Sequence, residues 1–257
     1  MKRIDAIPYA PANGQRGLGD LYLPDRPARA PVALCIHGGG WNAMDKYSWS
    51  GVAQFMCEQG FAAYNINYRL LDLAPWPACG DDCLAAANFL LDGRHEALKP
   101  LDRAAGVVII GGSAGGHLAL MTALRLPRGR CRGVVSIAGP TDLFLRVAQR
   151  GRDNYLKFFA KKDVAEISDR MLLEASPVSY VKPYSPPLLC VHSTNDQLVP
   201  IEHSRHLLKM YHEVGARAEL FAYAGPGDQH GVWIDGSDPH RLLPELEQEM
   251  AVFLKTV

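Results

Sequence analysis

The sequence predicts an α/β fold, with a mainly parallel, twisted β-sheet and α-helices on both of its faces. Short apolar runs alternate with helical stretches along most of the 257 residues. Most of the apolar runs are continuous rather than alternating, which is typical of strands that are covered on both sides. The alternation of strands and helices favours a parallel sheet, because each crossover between parallel strands needs a helix. The length fits one large α/β domain as well as two small ones, and we predict a single domain over residues 1–257.

Seven apolar runs are predicted to be strands, and five stretches are predicted to be helices. The region of residues 4–23 predicts an antiparallel pair at one edge of the sheet. The predicted strands are DLYLP, PVALCIHG, FAAYNINYR, GVVIIGGS, GVVSIAG, PPLLCVHS and RAELFAYA. The predicted helices cover residues 46–59, 81–93, 114–125, 202–214 and 240–255.

Residues 140–185 interrupt this alternation. A crossover between parallel strands needs only about a dozen residues, and this interval is several times longer. We predict a small cap-like insertion of one or two short helices over the carboxyl edge of the sheet, where ligands of α/β proteins bind. A peripheral helix pair with its own small apolar face is the alternative interpretation.

Composition and charge do not favour a nucleic-acid-binding protein or a membrane protein. The chain has 27 basic and 27 acidic residues, so its formal net charge of zero does not favour binding to nucleic acid. No apolar stretch reaches the ~18–20 residues of a membrane-spanning helix, so we expect no association with a membrane. The first residues include basic side chains but no apolar segment after them, so they do not resemble a signal peptide. We therefore expect a cytoplasmic protein.

The six cysteines are expected to be buried thiols rather than ligands or disulfides. Several of them lie in apolar runs, such as Cys35 in ALCIHG and Cys190 in LLCVHS. Cys79 and Cys83 could share one face of a helix, but no further ligands lie nearby at a suitable spacing. The sequence therefore predicts no metal site, and we expect no cofactor.

A glycine-rich turn predicts a nucleophile at Ser113. The apolar run of residues 107–110 leads into Gly111-Gly112-Ser113-Ala114-Gly115, and a helix is predicted to begin at Ala114. Gly-x-Ser-x-Gly between a strand and a helix is typical of a nucleophile elbow, in which the serine side chain stands off the sheet edge. A phosphate-binding loop would need Gly-Lys-Ser/Thr, and a dinucleotide loop would need a different glycine spacing.

A second glycine-rich turn, His37-Gly38-Gly39-Gly40-Trp41, follows the strand PVALCIHG. Backbone N–H groups in such a loop can point at a ligand without interference from side chains, and such donors stabilise the oxyanion of acyl transfer. The N–H of Ala114, the residue after the nucleophile, is a further expected donor. A glycine turn without function is the alternative. His37 itself is expected to have a structural role.

The general base is predicted to be His230, in the loop after the strand RAELFAYA. A serine hydroxyl needs a base to remove its proton, and this loop reaches the same sheet edge as Ser113. His192, at the end of another strand, is the competing candidate. Asp196 follows that strand and is the predicted orienting acid, with Asp228 as the alternative. The chain order Ser113, Asp196, His230 is that expected of α/β-hydrolases.

Five of the remaining histidines are expected to lie on solvated faces, and His117, in the helix after Ser113, is expected to point away from the site. The other five are His95, His203, His206, His212 and His240.

These motifs resemble the α/β-hydrolase fold family, and the resemblance spans roughly residues 30–235. It is nearest to small carboxylesterases, including feruloyl-esterase-like, acetyl-esterase-like and kynurenine-formamidase-like enzymes. Gly112 stands where hormone-sensitive-lipase-like esterases usually carry an acidic residue. The sequence therefore favours the feruloyl-esterase-like or formamidase-like branch. The resemblance implies that Gly39 and Gly40 are the oxyanion donors of the first loop, with Gly38 in reserve.

The predicted function is that of a serine carboxylesterase, which cleaves small carboxylic esters through an acyl-enzyme intermediate without metal or cofactor. An arylformamidase would use the same groups, and a ligand-binding protein on the same fold is a further alternative. Six aromatic residues are candidates to line the substrate pocket: Trp41, Trp76, Phe144, Phe158, Phe159 and Trp233. The expected partner is a small-molecule ester, and the oligomeric state is left open, a homodimer included.

Overall fold

The computed structural model describes residues 1–224, 230–231 and 233–257, and it has the predicted α/β architecture. Within these residues, eight strands form one sheet with helices on both faces. The strands are β1 (Lys2–Pro8), β2 (Leu18–Leu23), β3 (Pro31–Ile36), β4 (Ala62–Ile66), β5 (Asp102–Gly112), β6 (Cys131–Ile137), β7 (Leu188–Ser193) and β8 (Ala218–Tyr223). The helices are α1 (Ser50–Glu58), α2 (Ala78–Asp92), α3 (Ala114–Arg125), α4 (Leu143–Arg150), α5 (Leu156–Phe159), α6 (Asp169–Glu174), α7 (Glu202–Glu213) and α8 (Pro244–Leu254).

The strand order in the sheet is β1-β2-β4-β3-β5-β6-β7-β8. Strands β3 to β8 are parallel, whereas β1 and β2 form the predicted antiparallel edge, with β2 also antiparallel to β4. The chain runs from β3 to β4 on one side and then crosses to β5 on the other side. The ends of β3 and β5 are therefore neighbours, with Ile36 opposite Gly111, at the kind of switch point where α/β proteins bind ligands.

Alternate residues of the central strands enter two different apolar clusters, one on each face of the sheet. In β3, Val32 and Leu34 pack into the cluster that α2, α3 and α7 cover. Ala33 and Cys35 pack into the opposite cluster, beneath α1 and α8. This burial on both faces explains why the strands read as continuous apolar runs.

The last helix begins later than the sequence pattern predicts. The expected helix spans residues 240–255, whereas α8 begins at Pro244. Proline is favoured in the first turn of a helix because it lacks the N–H that would have no partner there. Before it, Ile234 and Leu242 pair as an antiparallel bridge, and the residues between them are not helical.

Residues 140–185 contain three short α-helices, α4, α5 and α6, rather than the one or two expected, and the structure describes all of this interval. The interruptions have local causes, since Gly151 follows α4 with φ of 85° and Ala160 ends α5 with φ of 52°. Asp142 caps α4 by accepting N–H bonds from the first turn. Phe158 and Leu172 are buried against the main apolar cluster, which fastens the segment to the body of the protein.

The helices in the described part of the chain include none that is both long and apolar enough to cross a membrane.

Candidate active site

Ser113 occupies a sharp turn between β5 and α3, with φ of 54° and ψ of −122°. Its backbone N–H donates to the carbonyl oxygen of Ile137 at 2.7 Å, which holds the turn against β6. A Cβ atom added to Gly111 would lie 2.2 Å from the Gly115 oxygen, and one added to Gly115 would lie 2.2 Å from the Ile36 oxygen. Only glycine fits at these positions, as the Gly-x-Ser-x-Gly pattern predicts.

The three residues predicted as nucleophile, base and acid lie in one hydrogen-bonded row. Ser113 Oγ is 2.9 Å from His230 Nε2, and His230 Nδ1 is 2.7 Å from Asp196 Oδ2. The Asp196 side chain is fully buried, while the His230 side chain keeps 16% of its surface exposed. With the proton on Nδ1, His230 donates to Asp196 and its Nε2 accepts from the hydroxyl of Ser113.

Asp196 is buried, but several donors surround it. Its Oδ1 accepts the backbone N–H groups of Leu198 at 2.9 Å and Val199 at 2.8 Å. Burial alone would raise the pKa of this carboxyl, but the hydrogen bonds from His192, His230 and the Val199 backbone outweigh it and hold the pKa well below its usual range. The carboxylate is therefore charged, as an acid that orients a histidine must be.

His192, the competing candidate for the base, lies on the far side of Asp196. Its Nε2 is 3.4 Å from Asp196 Oδ2 and donates to the carbonyl oxygen of Val199 at 2.6 Å. Its Nδ1 lies 2.8 Å from Ser204 Oγ, and the ring is fully buried. The structure brings His230 to Ser113 and leaves His192 behind the acid. Asp228, the alternative acid, lies outside the described residues.

The loop after β3 packs directly against the elbow. A Cβ atom added to Gly38 would lie 2.9 Å from the Gly112 oxygen and 3.4 Å from Ser113 Cβ. Gly39 and Gly40 have φ of 97° and 59°, a region of backbone conformation that favours glycine. Within the described chain, no acceptor is assigned to the N–H groups of Gly39, Gly40 or Ala114. Their hydrogen-bonding capacity is therefore not used by the backbone of the described residues.

Trp41 and His117 hold this loop in place, a role that the sequence analysis did not predict. Trp41 has φ of 59°, and its indole N–H donates to His117 Nδ1 at 3.2 Å. His117 Nε2 in turn donates to the carbonyl oxygen of Ala175, at the end of α6, at 2.8 Å. Burial lowers the pKa of His117 to about 4, so the ring is neutral near pH 7. The spacing holds one clue, because His117 lies one helical turn after Ser113.

His37 has the structural role that its position predicts. It is fully buried, its ring stacks on Tyr68 at 4.3 Å, and its Nδ1 donates to the carbonyl oxygen of Gly38 at 2.9 Å. Burial lowers the pKa of His37 to about 4. The neutral ring therefore stabilises the glycine loop through its hydrogen bond to Gly38 and its stacking on Tyr68.

The six aromatic candidates divide between two cavities and the core. Trp41 and Phe158 line a cavity of about 370 Å³ that also includes Gly40. Trp76 and Phe159 line a separate cavity of about 390 Å³. The two remaining candidates are not among the lining residues of either: Phe144 packs against the main core, and Trp233 packs against Trp49 and the His230 ring.

The fold and the site define an α/β-hydrolase: a mostly parallel sheet, a serine elbow after the fifth strand, and an aspartate and a histidine after later strands. The family model described as BD-FAE matches residues 19–211. The chain belongs to this family, which is part of the α/β-hydrolases.

Two relatives come from Mycobacterium tuberculosis. The protein named probable carboxylic ester hydrolase LipM is 28% identical over 228 residues, which cover 83% of this chain and 52% of the relative. Esterase LipC is 27% identical over 232 residues, which cover 81% of this chain and 54% of the relative. The chain thus spans about half the length of these relatives.

Two solved structures share the fold. A truncated carbohydrate esterase from gut microbiota has a TM-score of 0.82 at 23% identity, covering 100% of this chain and 96% of the other. Esterase B from Lactobacillus rhamnosis has a TM-score of 0.80 at 20% identity, covering 99% of this chain and 84% of the other. The arylformamidase alternative gains no support from these relatives.

Proposed function

We propose that this protein is a carboxylic ester hydrolase that works through an acyl-enzyme intermediate on Ser113. The observation that carries the proposal is the row Ser113 Oγ–His230 Nε2–Asp196 Oδ2, with separations of 2.9 and 2.7 Å. Base and nucleophile are within hydrogen-bond reach, and a third group orients the base, as activation of a serine requires. The names of the mycobacterial relatives, an esterase and a carboxylic ester hydrolase, support the same class of activity.

In the first step, Ser113 Oγ attacks the carbonyl carbon of the ester while His230 Nε2 takes the hydroxyl proton. The buried, charged Asp196 accepts from Nδ1 throughout, so the ring stays in the tautomer that leaves Nε2 free to act as a base. The positive charge that forms on the imidazole is stabilised by the same carboxylate.

The tetrahedral intermediate carries a negative oxygen, which we assign to the N–H groups of Gly39, Gly40 and Ala114. Each such donor contributes about a hundred- to a thousandfold to the rate of acyl transfer in comparable sites. Ala114 is the first residue of α3, so its N–H belongs to the positive end of that helix dipole.

Collapse of the intermediate breaks the bond to the alcohol, which leaves with the proton from His230 and produces the acyl-serine. A water molecule then attacks the acyl carbon and gives a proton to His230, and the acid leaves as Ser113 recovers its hydrogen. These steps use only water and groups of this chain. We further propose that residues 140–185 form a cap that shapes the substrate pocket, since Phe158 from this interval lines the cavity beside Gly40.

The proposal is tested with Ser113→Ala, with turnover of 4-nitrophenyl acetate and labelling by a fluorophosphonate as the two readouts. We expect the wild-type protein to hydrolyse the ester and to be labelled, and the variant to lose about 10⁴-fold or more in kcat and all labelling. Unchanged thermal unfolding would show that the loss is chemical.

A ligand-binding protein without an activated serine would behave differently. The wild-type protein would then remain unlabelled and would release nitrophenol at the rate of the variant, and either result would overturn the proposal.

A further inference from the structure

The cavity beside the oxyanion loop is cationic. It has a volume of about 370 Å³ and lies between Gly40 on one side and the insertion of residues 140–185 on the other. Three basic residues of that insertion line the cavity: Arg146, Arg150 and Lys157. The structure describes all of the lining residues, and none of them is acidic. The walls thus carry three positive charges without a negative one.

None of these three cations forms a salt bridge with any residue that the structure describes. Their acceptors are neutral instead. Arg146 Nη1 donates to the carbonyl oxygen of Leu198. Arg150 Nη2 donates to the carbonyl oxygen of Gln197 at 2.6 Å and to that of Leu198 at 3.2 Å. Lys157 Nζ donates to Asn42 Oδ1 at 2.6 Å. The positive charges are hydrogen-bonded but form no ion pair with the described residues, and Asp196 and Tyr155 compensate the charge of Arg146 only in part.

Arg146 is the least expected of the three, because it is only 9% exposed. Its Nε is buried and has no hydrogen-bond partner among the described residues. Burial lowers the pKa of this guanidinium, which reflects the cost of keeping a charge away from water. A buried arginine is normally paired, and removal of its partner leaves a large uncompensated penalty. Tyr155 and Asp196 offset only part of this cost, and a negative group on a bound ligand would offset more of it.

The rest of the cavity suits an organic ligand. Trp41 and Phe158 form an apolar wall, with ring centroids 5.0 Å apart. Leu198, whose oxygen accepts from two of the arginines, lies two residues after Asp196 and donates its N–H to that carboxylate. Arg146 and Arg150 therefore bind the loop after β7, which also carries Asp196 of the candidate catalytic row.

We propose that this cavity binds a negatively charged group of the substrate, so that the enzyme prefers esters that carry a carboxylate apart from the scissile bond. The inference rests on the proposed function, since it names the substrate class of the same site. The carboxylate can belong to the acid part of the ester or to its alcohol part. Both arrangements place an anion against Arg150 and Lys157 and the carbonyl group near Gly40.

The test compares kcat/KM for two pairs of esters, each matched in shape and different in charge. Monomethyl glutarate and methyl glutaramate place the carboxylate, or its neutral amide, on the acid side. O-Acetylglycolate and O-acetylglycolamide place it on the alcohol side. We expect the wild-type protein to prefer the carboxylate by about tenfold or more in at least one pair.

Two variants remove charges from the cavity, and one serves as a control. Arg150→Gln and Lys157→Gln alter exposed side chains, and each is expected to lower the carboxylate-to-amide ratio several-fold. Lys162→Gln removes the same charge from the same insertion, at an exposed residue outside the cavity lining. We expect it to leave the ratio at its wild-type value.

The inference is overturned if the wild-type protein prefers the amide or shows no preference in both pairs, or if Lys162→Gln lowers the ratio as much as the other two variants. Hydrolysis of 4-nitrophenyl acetate by the wild-type protein in the same preparation separates the two proposals. If that ester is cleaved without a preference for anions, only the substrate inference fails. If neither that ester nor any ester of the two pairs is cleaved, both proposals fail.

Discussion

At the scale of single residues, Asp196 has the most demanding position in the site. Its side chain has no exposed surface, yet it is charged, because two backbone N–H groups and two histidines compensate the loss of water. Oδ1 is occupied by Leu198 and Val199, and Oδ2 faces His230. Oδ1 therefore holds the loop of Leu198 and Val199, and Oδ2 orients His230.

This division predicts the effect of Asp196→Asn. The amide oxygen can still accept from Leu198 and Val199, so the fold should be kept. The amide nitrogen would face His230 Nδ1 and force the proton onto Nε2, which could then no longer accept from Ser113. We expect kcat for 4-nitrophenyl acetate to fall by about 10³–10⁴-fold. A variant that unfolds at the wild-type temperature and keeps more than a tenth of wild-type kcat would contradict this role.

At the scale of elements, the site depends on how closely the start of α3 approaches the end of β3. A Cβ atom on Gly115 would lie 2.2 Å from the Ile36 oxygen and 2.4 Å from the His37 oxygen. A Cβ atom on Gly116 would lie 3.0 Å from Gly139 Cα. The two neighbouring glycines of one helix thus meet very different constraints.

The substitutions Gly115→Ala and Gly116→Ala should separate these constraints. Because backbone atoms cannot move aside easily, we expect Gly115→Ala to lower the free energy of unfolding by about 3 kcal/mol or more. Gly116→Ala meets contacts of 3.0 Å that need a shift of only a few tenths of an ångström, and it gains helix propensity, so its loss should be smaller, at about 1–2 kcal/mol. Urea unfolding of the two variants measures both values. Equal losses would show that the approach of α3 to β3 is not the controlling contact.

The elements that were predicted well are those with a strong pattern. The seven apolar runs all coincide with strands. In the central strands, burial on both faces leaves a continuous apolar composition, whereas the edge strand β8 is only partly buried. Helix α3 has the predicted bounds of residues 114–125. The insertion was predicted poorly, because α5 has only four residues and so short a helix shows no periodicity. The start of α8 at Pro244 depends on a bridge between Ile234 and Leu242 that no local pattern indicates.

Among the candidate site residues, the limits are of another kind. The pairing of Ser113 and His230 could be predicted, because both residues follow strands of a parallel sheet and therefore lie at its carboxyl edge. The partners of His117 and Arg146 could not, because Trp41 and Leu198 are distant in sequence. The packing of α3 against the loop after β3 brings His117 to Trp41, and the packing of the insertion against the loop after β7 brings Arg146 to Leu198.

At the scale of the whole molecule, buried neutral histidines should make the protein sensitive to acid. Burial lowers the pKa of His37 and of His117 from 6.5 to about 4. The unfolded chain therefore binds protons at a higher pH than the native chain, and stability is lost as the pH falls from about 6.5 to about 4. Each of these histidines contributes roughly 3 kcal/mol to the loss. Asp196, whose pKa is lowered from 3.8, adds to it only at still lower pH.

His117→Gln provides the comparison, because glutamine can accept from Trp41 and donate to the Ala175 oxygen without titrating. We expect the free energy of unfolding of the wild-type protein, measured in urea between pH 7 and pH 5, to fall more steeply than that of the variant. The difference should approach one bound proton. Parallel curves for the two proteins would exclude His117 as a source of the acid sensitivity.

The insertion is attached to the body partly through its own main chain. His117 donates to the carbonyl oxygen of Ala175, and the N–H of Trp76 donates to the carbonyl oxygen of Phe158 at 2.8 Å. A carbonyl oxygen is present whatever the residue, so these two attachments place no demand on side-chain identity. Replacement of the basic side chains of the cavity would remove their own bonds to Asn42 and Leu198 but would leave these two main-chain attachments in place. The substrate preference that we propose for this cavity can then change while these two attachments are kept.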